Sequence, residues 1–551
     1  MFNFKILVMK MLINKITLCV VAAIFLCGCS TDILDEEKIV SPPVNSYFKT
    51  EKGYKDLVNS NYTFTRSLFA GGNNFAPLVF FGTDLWTNGS DGTFIEFNAY
   101  NSGIQPANPV LWNLWSPFYQ GIAACNTAIS RAGEVEEMTQ SEVNQKVAES
   151  YFLRAWYYHI LVMHFGGLPL ITEEVTEVVT TATRASEAEV YAQIVSDLVF
   201  AEQNLPETQE EFGRVTKAAA QALLARVYLT LGQNDKAAEF AEKVINDHGL
   251  ALLDDYSRLW DVDNRENSEV IWSIQFSQDQ RLNGSGNAYF LYFTPRYDLQ
   301  PGMTRALEND RPWPRFVATR YYFDLLAANR ENDSRFAKSW KTAWIANNES
   351  TLPANMQIGD TAFIYVPWDV PDDEEAVLEQ KYGVFDINDL YDGENPTGSR
   401  ELFPHMRKYK DPLRPSINSG VGTKNVIEIR LAEMYLIAAE AYMKLGNLPE
   451  AVEHINTIRH RAAWPGKETA MEITEDQLDI DFILDERALE LGAERLRWAD
   501  LKRTGKLIER VQLYNTLGRG NIEQKHLLRP IPSNMIDRLT NRDDFEQNPG
   551  Y

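Results

Sequence analysis

The sequence predicts a mainly α-helical fold in which helix pairs form a right-handed superhelix and support a large irregular half of loops and short strands. Three observations predict this. A block at 146–167 is apolar almost all round and ends at a glycine pair. Two later blocks, 223–247 and 437–461, are similar to each other and have the pattern of paired helices. Between them, residues 254–425 lose the helical period and become rich in Gly, Asn, Pro and aromatic residues.

The chain begins with a leader typical of exported lipoproteins. Three lysines precede an apolar run that is too short to span a bilayer, which needs about 20 residues, but is long enough for a signal-peptide core. Cys29 follows Gly28 and has Leu26 three positions before it, whereas Cys27 directly follows bulky Leu26. We therefore expect removal of residues 1–28 and acylation, including palmitate, at Cys29. An ordinary secretory leader with a stray cysteine is the alternative.

A polar, acidic stretch at 29–46, broken by a proline pair, is predicted to be a lipidated tether. The folded body, 47–551, is expected to begin near Tyr47. Translation from Met1 or from Met11 gives the same cleavage site, and the sequence does not distinguish the two starts.

Charge and cysteine content narrow the class of protein. The net charge is −24, and it becomes −27 without the leader, which holds three lysines and no acid. Such an acidic chain is repelled by phosphate backbones, so we expect no nucleic-acid partner. Cys125 is the one free thiol expected in the mature chain, so packing and not disulfides must stabilise it.

The first helix pair is expected within 114–165. Its second helix is apolar from Tyr151 to Phe165 and stops at Gly166 and Gly167, as helix ends do. We predict a buried helix that is too short for a transmembrane role. Four tryptophans on helical patterns are predicted to be core residues: Trp112, Trp115, Trp156 and Trp498.

The two similar blocks align at an offset of 214 residues. The matching positions are Tyr228 with Tyr442, Gly232 with Gly446, Ala237 with Ala451, and Val244 with Ile458. This spacing resembles a tetratricopeptide repeat, in which a glycine ends the first helix and small alanines let the second helix approach it closely. Because such pairs cannot bury their apolar faces alone, we expect further pairs, and the candidates are 114–132 with 146–165 and 186–204 with 217–232. The predicted pairs therefore lie within 114–165, 186–247 and 426–461.

The remaining segments differ in character. The stretch SEVIWSIQF at 268–276 alternates like a strand, and the rest of 254–425, like 68–110, reads as loops and short strands. Such irregular segments commonly carry function. A C-terminal helical segment is expected at 478–506, where DERALELGAERLRWADLKR, 485–503, alternates in charge and is predicted to be a solvated, ion-paired helix face.

Several stretches, in this order, resemble the SusD and RagB-like outer-membrane nutrient-binding lipoproteins of glycan-feeding Gram-negative bacteria. The resemblance covers nearly the whole chain. It rests on the lipobox with its acidic continuation and on these motifs: YFKTEKGYKDLVNSNY, AESYFLRAWYYHILVMHFGGLPLI, RVTKAAAQALLARVYLTLG, EIRLAEMYLIAAEAYMKLGN, DERALELGAERLRWADLKRTGK, and LLRPIPSNMIDR with QNPGY at the end.

This resemblance implies four tetratricopeptide-like helix pairs beneath an irregular ligand-binding half. It implies a non-catalytic, lipid-anchored protein of the cell outer membrane, facing outwards, that captures oligosaccharide or polysaccharide and delivers it to a SusC-like TonB-dependent barrel. RagB-like members are thought to bind peptides, so a peptide receptor is the alternative, and a surface glycoside hydrolase is a less favoured one. The motifs carry no binding residues, and which glycan or peptide binds is not readable from them.

Candidate ligand-binding residues are therefore chosen by chemistry. Sugars present flat C–H faces and a rim of hydroxyls, so their receptors combine exposed aromatic rings with amide, carboxylate or guanidinium groups. The stretch FGTDLWTNGSDG places Trp86 near Asp84, Asn88 and Asp91. The alternative is that the ring packs the loop onto the scaffold.

A second aromatic candidate lies in ENDRPWPRF. Here Trp313 stands between two prolines, which stiffen it, with Arg311 and Arg315 nearby. Trp340 and Trp368 are further candidates. Each of these rings also has the alternative role of packing a loop onto the scaffold.

Catalysis and metal binding are not favoured. Glu433 and Glu440 lie about 10.5 Å apart along one predicted helix, beyond the usual ~5 to 9.5 Å separation of glycosidase carboxylates. They are better interpreted as structural groups that meet arginines such as Arg459 or Arg487. The seven histidines show no metal-ligand spacing. The segment 261–267 resembles the start of a calcium loop but lacks its glycine, and a structural calcium ion there is the one cofactor left open.

Overall fold

The computed structural model describes residues 44–70 and 75–551. The predicted leader at 1–28 and the predicted acylation site, Cys29, lie outside the described residues, as does most of the predicted tether. The prediction of a mainly α-helical fold is confirmed. No helix in the described part of the chain is long and apolar enough to cross a membrane.

The described α-helices of eight residues or more are numbered in chain order: α1 Glu51–Ser60, α2 Pro109–Arg131, α3 Gln140–Phe165, α4 Glu187–Asn204, α5 Lys217–Thr230, α6 Asn234–Asp247, α7 Arg320–Ala328, α8 Leu431–Leu445, α9 Leu448–Ala462, α10 Ile480–Leu491 and α11 Leu507–Tyr514. Shorter α-helices are Val44–Tyr47, Ala76–Phe80, Ile95–Ala99, Gln280–Asn283, Tyr289–Tyr292, Arg335–Ser339, Asp372–Leu378, Ile387–Leu390, Glu468–Met471, Arg497–Arg503 and Ser533–Ile536.

Local sequence explains where the long helix α3 begins and ends. Thr139 and Glu142 form a capping box, in which each side chain accepts a hydrogen bond from the other residue's backbone N–H. The helix stops at Gly166, whose φ of +70° is a conformation that favours glycine. The predicted end is therefore confirmed, and the helix begins six residues before the predicted Lys146. Nearly all side chains from Phe152 onward are buried.

The pairs α5–α6 and α8–α9 carry the predicted repeat. Gly232 and Gly446 follow the first helix of each pair with φ values of +69° and +81°. Ala237 and Ala451, at the matching position of each second helix, have no exposed surface, so the two helices of a pair can approach closely. This geometry fits the tetratricopeptide-like arrangement expected from the sequence.

The long helices stack in order. Each of α2 to α5 packs against the helix that follows it, α8 packs against α6, and α9 packs against α8. The stack therefore continues across the long insertion between α6 and α8. Three of the predicted core tryptophans, Trp115, Trp156 and Trp498, are buried in it, and Trp112 is partly buried at its edge.

The irregular half contains short strands. Their bounds are β1 Trp86–Asn88, β2 Val270–Ile274, β3 Phe316–Ala318, β4 Trp340–Lys341, β5 Ala343–Ile345, β6 Thr361–Tyr365, β7 Gly383–Phe385, β8 Tyr391–Asp392, β9 Asn395–Pro396, β10 His405–Met406 and β11 Val426–Arg430. The pairs are β1–β3, β4–β10, β2–β11 and β8–β9, and β5, β6 and β7 form a three-stranded sheet. The strand predicted at 268–276 is confirmed as β2. Its partner β11 leads directly into α8 and so joins the two halves.

The charged stretch 485–503 differs from its prediction. It was expected to be a solvated face, but Glu486 and Glu490 are buried and pair with buried arginines. Arg335 lies 2.6 Å from Glu486, and Arg430 lies 2.6 Å from Glu490. Although burial alone raises the pKa of Glu490, the surrounding arginines outweigh it and lower that pKa to about 2. The ion pairs predicted there exist, but they lock the irregular half onto the scaffold.

Candidate functional site

An exposed tryptophan stands on a stiff turn of the irregular half. Trp313 is 38% exposed, while Pro312 and Pro314 on either side are buried. The backbone N–H of Trp313 donates to the carbonyl of Thr294 at 3.3 Å, and that of Arg315 donates to the carbonyl of Tyr292 at 3.1 Å. Because each proline also fixes its own φ, the backbone that presents the indole to solvent is stiff.

The loop after β1 lies beside this turn. Strand β1 pairs with β3 in antiparallel register, with Asn88 opposite Phe316. The N–H of Gly89 then donates to the carbonyl of Arg315 at 2.8 Å, and the N–H of Asp91 donates to the carbonyl of Pro314 at 3.0 Å. A Cβ at Gly89 would lie 2.3 Å from the Pro314 carbonyl oxygen, so this close approach needs a glycine.

Arg315 connects the loop after β1 to the turn that carries Trp313. Its guanidinium lies 4.1 Å from the ring centre of Tyr292, 5.0 Å from that of Phe94 and 5.6 Å from that of Trp313. Its Nε donates to Asp91 Oδ2 at 2.6 Å. Burial raises the pKa of the Asp91 carboxyl, but hydrogen bonds from Thr93 and Arg315 outweigh it and leave that pKa below its ordinary value. Asp91 is therefore a fixed anion beside the ring.

Two further polar residues, Arg311 and Asn418, lie beside the exposed indole. Arg311 is half-buried, with its guanidinium carbon 5.8 Å from the Trp313 ring centre. Its Nη1 donates to the carbonyl of Asn418 at 3.0 Å. The Asn418 side chain is exposed and accepts from Arg305 at 3.2 Å. We call the group of Trp313, Arg311, Asp91 and Asn418 the Trp313 surface.

Strained backbone also marks this surface. Six non-glycine residues among those described have a positive φ, and three of them border the Trp313 surface. These are Phe94 at +61°, Asp310 at +61° and Arg400 at +39°. Arg400 reaches the loop directly, because its Nη1 donates to the carbonyl of Asn88 at 2.9 Å. Such conformations persist where surrounding structure enforces them, and they are frequent at ligand sites.

The first predicted group of ligand-binding residues is buried. Trp86 is 1% exposed and stacks on Trp340, which is 3% exposed, with ring centres 6.1 Å apart. Asp84 is fully buried and pairs with Arg497 at 2.5 Å. Asn88 is also fully buried and donates to the carbonyl of Thr93, which closes the loop. The predicted contact of these residues with ligand does not fit the structure, since none of them presents a face to solvent.

The other predicted ligand-binding residues differ in their exposure to solvent. Trp313 and Arg311 lie together at the surface as described. Trp368 is half-buried, with Arg330 4.5 Å from its ring centre and Phe336 packed on its edge. One of its faces is therefore covered by the protein itself. Asn418 and Arg400 were not predicted, because their place beside Trp313 depends on contacts between distant segments.

The two glutamates considered for catalysis are ion-paired in the scaffold. Glu433 lies 2.7 Å from Arg226, and Glu440 lies 2.7 Å from Arg503 through Oε2. The structural role is as predicted, but the partners are not the predicted Arg459 and Arg487. Burial raises the pKa of Glu440, yet its arginine and lysine neighbours outweigh burial and lower that pKa to about 2. A general acid needs a raised pKa, so this carboxylate is unsuited to the role.

One group of possible metal ligands occurs among the described residues. Glu242 on α6 and Glu450 and His454 on α9 bring one ligand atom each within 4.8 Å of one another. His454 Nε2 lies 2.8 Å from Glu242, and the ring stacks on Tyr442, so the histidine already has partners. At 261–267, Asp261 is exposed and reaches Arg258 at 3.7 Å.

A cavity of about 250 Å³ lies within the helical half. Its wall includes His159 and Tyr191 together with the ion-paired Arg226 and Glu433. Burial lowers the pKa of His159 to about 3, so its imidazole is neutral. The cavity is part of the scaffold and is distinct from the Trp313 surface.

Fold and surface together define a helical-repeat scaffold that presents an aromatic, polar surface from an irregular half. Comparison with known proteins then gives the family. The model of the SusD family matches residues 268–551, more than half of the chain, and a second model, described as starch-binding associating with outer membrane, matches residues 45–229. The chain is a member of the SusD/RagB family.

Individual relatives match between three quarters and nearly all of the chain. A SusD-like protein of Formosa agariphila is 29% identical over 98% of this chain and 99% of its own length. The starch-binding protein SusD of Bacteroides thetaiotaomicron is 26% identical over 76% of this chain and 75% of its own length. Among solved structures, a laminarin-binding SusD-like protein superposes with a TM-score of 0.69 at 26% identity, covering 91% of this chain and 100% of that chain.

Proposed function

We propose that this protein binds an oligosaccharide at the Trp313 surface. The observation that carries the proposal is the indole of Trp313, which is exposed at a rigid turn and bordered by a guanidinium, a carboxylate and an amide. A sugar ring stacked on the indole would place its hydroxyls within reach of these groups. The names of two relatives, a starch-binding and a laminarin-binding protein, support glycan as the ligand class.

The protein is further proposed to act without catalysis at the outer membrane. Acyl chains on Cys29 would anchor it, and a SusC-like TonB-dependent barrel would receive the captured glycan. The membrane association in the description of the second matching family model supports the location. Metabolic labelling with an alkyne fatty acid tests the anchor, since Cys29→Ala should remove the label. Co-purification of the tagged protein with a TonB-dependent barrel tests the partner.

Affinity electrophoresis of the purified protein against a polysaccharide panel tests the binding function. We expect at least one glycan to retard the protein and Trp313→Ala to abolish the retardation. Binding that favours peptides and survives Trp313→Ala would support the peptide alternative. No retardation by any glycan would contradict the proposal.

A further inference from the structure

We infer that the glycan taken by the Trp313 surface is anionic, bearing uronate carboxylates or sulfate groups. This inference rests on the proposed function, because it names the substrate class of the same surface. It starts from the positive charges that surround Trp313 in a chain whose net charge is −24.

Most cations in the described part of the chain have a carboxylate partner. Around Trp313 and the segment 308–311 that precedes it, however, five cations have no carboxylate oxygen within 4.0 Å. All five are partly exposed: Arg311, Lys341, Arg400, Arg407 and Lys410. A charged side chain that is partly desolvated and lacks a counter-ion is unfavourable in the free protein, so an anionic ligand would relieve it.

Two of these cations border Trp313 directly. Arg311 donates one N–H to the Asn418 carbonyl, which leaves its other donors available to a ligand. Arg400 donates to the Asn88 carbonyl, and its own carbonyl accepts from the N–H of Ser90 at 3.2 Å. The two guanidinium groups are therefore fixed to different segments of the surface, that of Arg311 to Asn418 and that of Arg400 to the loop after β1.

The other three adjoin the segment that leads to Arg311. Lys341 donates to the side-chain oxygen of Asn309, two residues before Arg311. The pKa of Lys341 falls to about 8, chiefly through burial and then through the positive charges of Lys410 and Arg407. Lys341, Arg407 and Lys410 therefore form one cluster of cations, and the neighbouring acids Asp310 and Glu308 act in the opposite direction on the pKa of Lys341.

Acidic residues of the same region do not cancel this charge. Asp298 pairs with two arginines, and Asp91 pairs with Arg315. Asp310 pairs with Arg414 and is fully buried. Three acids of the region, Glu308, Glu401 and Asp411, have no cation partner within 4.0 Å. The buried Asp411 carboxylate accepts instead from the backbone N–H groups of Leu413, Thr423 and Lys424. The region therefore keeps more unpaired cations than unpaired acids.

The anionic group and the sugar ring of such a ligand each match groups on the Trp313 surface. Guanidinium groups present paired N–H donors that match the oxygens of carboxylate and sulfate, and these charge-assisted hydrogen bonds are stronger than neutral ones. The indole accepts the C–H face of the sugar ring to which the anion is attached. A positive surface on an acidic protein also raises the local concentration of anionic chains and speeds their encounter.

The test is calorimetric titration of the purified protein with three oligosaccharides of similar length: an oligogalacturonate, a sulfated carrageenan fragment and a neutral laminarin fragment. We expect one of the anionic ligands to bind at least about tenfold more tightly than the neutral one, and which of them does so separates carboxylate from sulfate. Raising NaCl from about 0.05 M to about 0.5 M should weaken that binding at least about fivefold.

Charge variants locate the effect. Arg311→Gln and Lys410→Gln should each lower the anionic affinity by about threefold or more. Their matched controls are Arg542→Gln and Lys467→Gln, which remove the same charge from exposed positions in other segments and should change the affinity by less than about twofold. Unchanged melting temperatures show that the variants are folded.

The outcomes separate the inference from the proposed function. Equal or tighter binding of the neutral glycan, independent of salt, would overturn the inference and leave glycan binding intact. No binding of any glycan would overturn both. If the control variants lost as much affinity as Arg311→Gln and Lys410→Gln, the effect would belong to overall charge, and the assignment to this surface would be wrong.

Discussion

Replacing Trp313 by alanine should weaken glycan binding and leave the fold intact. The indole is 38% exposed at a turn between two buried prolines, so its removal takes away ligand-contact area and little core packing. The backbone hydrogen bonds of the turn to the carbonyls of Thr294 and Tyr292 do not involve the indole. The variant should therefore keep the turn in place.

The size of the effect follows from the exposed area. A tryptophan side chain has up to about 250 Å² of surface. With 38% exposed, Trp313 offers roughly 95 Å² to a sugar ring. At about 25 cal/mol per Å², covering this area contributes about 2 kcal/mol. The expected loss of affinity is therefore about thirtyfold.

Isothermal titration calorimetry measures this loss with the glycan that retards the native protein most strongly. Trp86→Phe is the matched control, since Trp86 is 1% exposed and contributes to the core. That variant should lower the free energy of unfolding by about 1–3 kcal/mol and leave the affinity of the folded protein unchanged. An unchanged affinity in Trp313→Ala, or an equal loss in Trp86→Phe, would refute the assignment of the surface.

Three further predictions concern stability. Asp84→Asn leaves the Arg497 side chain buried without its bidentate carboxylate partner, so it should lower the free energy of unfolding by about 3–5 kcal/mol. Denaturation with guanidinium chloride measures this change, and a loss below about 1 kcal/mol would contradict the importance of the pair. The pKa of Glu440 falls from 4.5 to about 2 on folding, so its ion pair stabilises the protein above pH 4.5 and is lost as the pH falls towards 2. Glu440→Gln should therefore destabilise the protein at neutral pH and flatten the pH dependence of unfolding over that window; an unchanged profile would contradict it. Gly446 has a φ of +81°, so Gly446→Ala should lower the free energy of unfolding by about 1 kcal/mol. Gly133 also has open space around it but no positive φ, so Gly133→Ala is the control and should be neutral. Equal effects of the two substitutions would contradict the explanation by backbone conformation.

Helices were readable from the sequence because their signals are local. The end of α3 at Gly166 and the turns at Gly232 and Gly446 are set by residues within a few positions. Ala237 and Ala451 likewise predict that the two helices of each pair approach closely. Hydrophobic period and glycine position therefore predicted the scaffold.

Burial in the irregular half depends on contacts between distant segments, which periodicity does not reveal. Trp86 lies in a stretch that reads as a loop, yet β1 pairs with β3, and Trp340 covers the ring. Trp313 has a similar local sequence character but remains exposed. The alternating charges of 485–503 likewise predict a solvated face, and they do not reveal its burial, because the partners Arg335 and Arg430 lie far away in the sequence.

The Trp313 surface was only partly predictable from the sequence, because it too depends on contacts between distant segments. Two of the residues beside Trp313, Arg311 and Asp91, lie within stretches that were singled out from the sequence. Asn418 and Arg400 come from other segments and were missed. The positive φ values that mark the surface have no sequence signature at non-glycine positions.

The central claim is that ligand binds on the exposed face of Trp313. A crystal structure of the protein grown with the oligosaccharide that binds most tightly tests it most directly. We predict a sugar ring stacked on the Trp313 indole, with a polar or anionic group of the ligand in contact with Arg311. A ligand seated in the cavity beside His159, or on any face that leaves Trp313 uncovered, would contradict it.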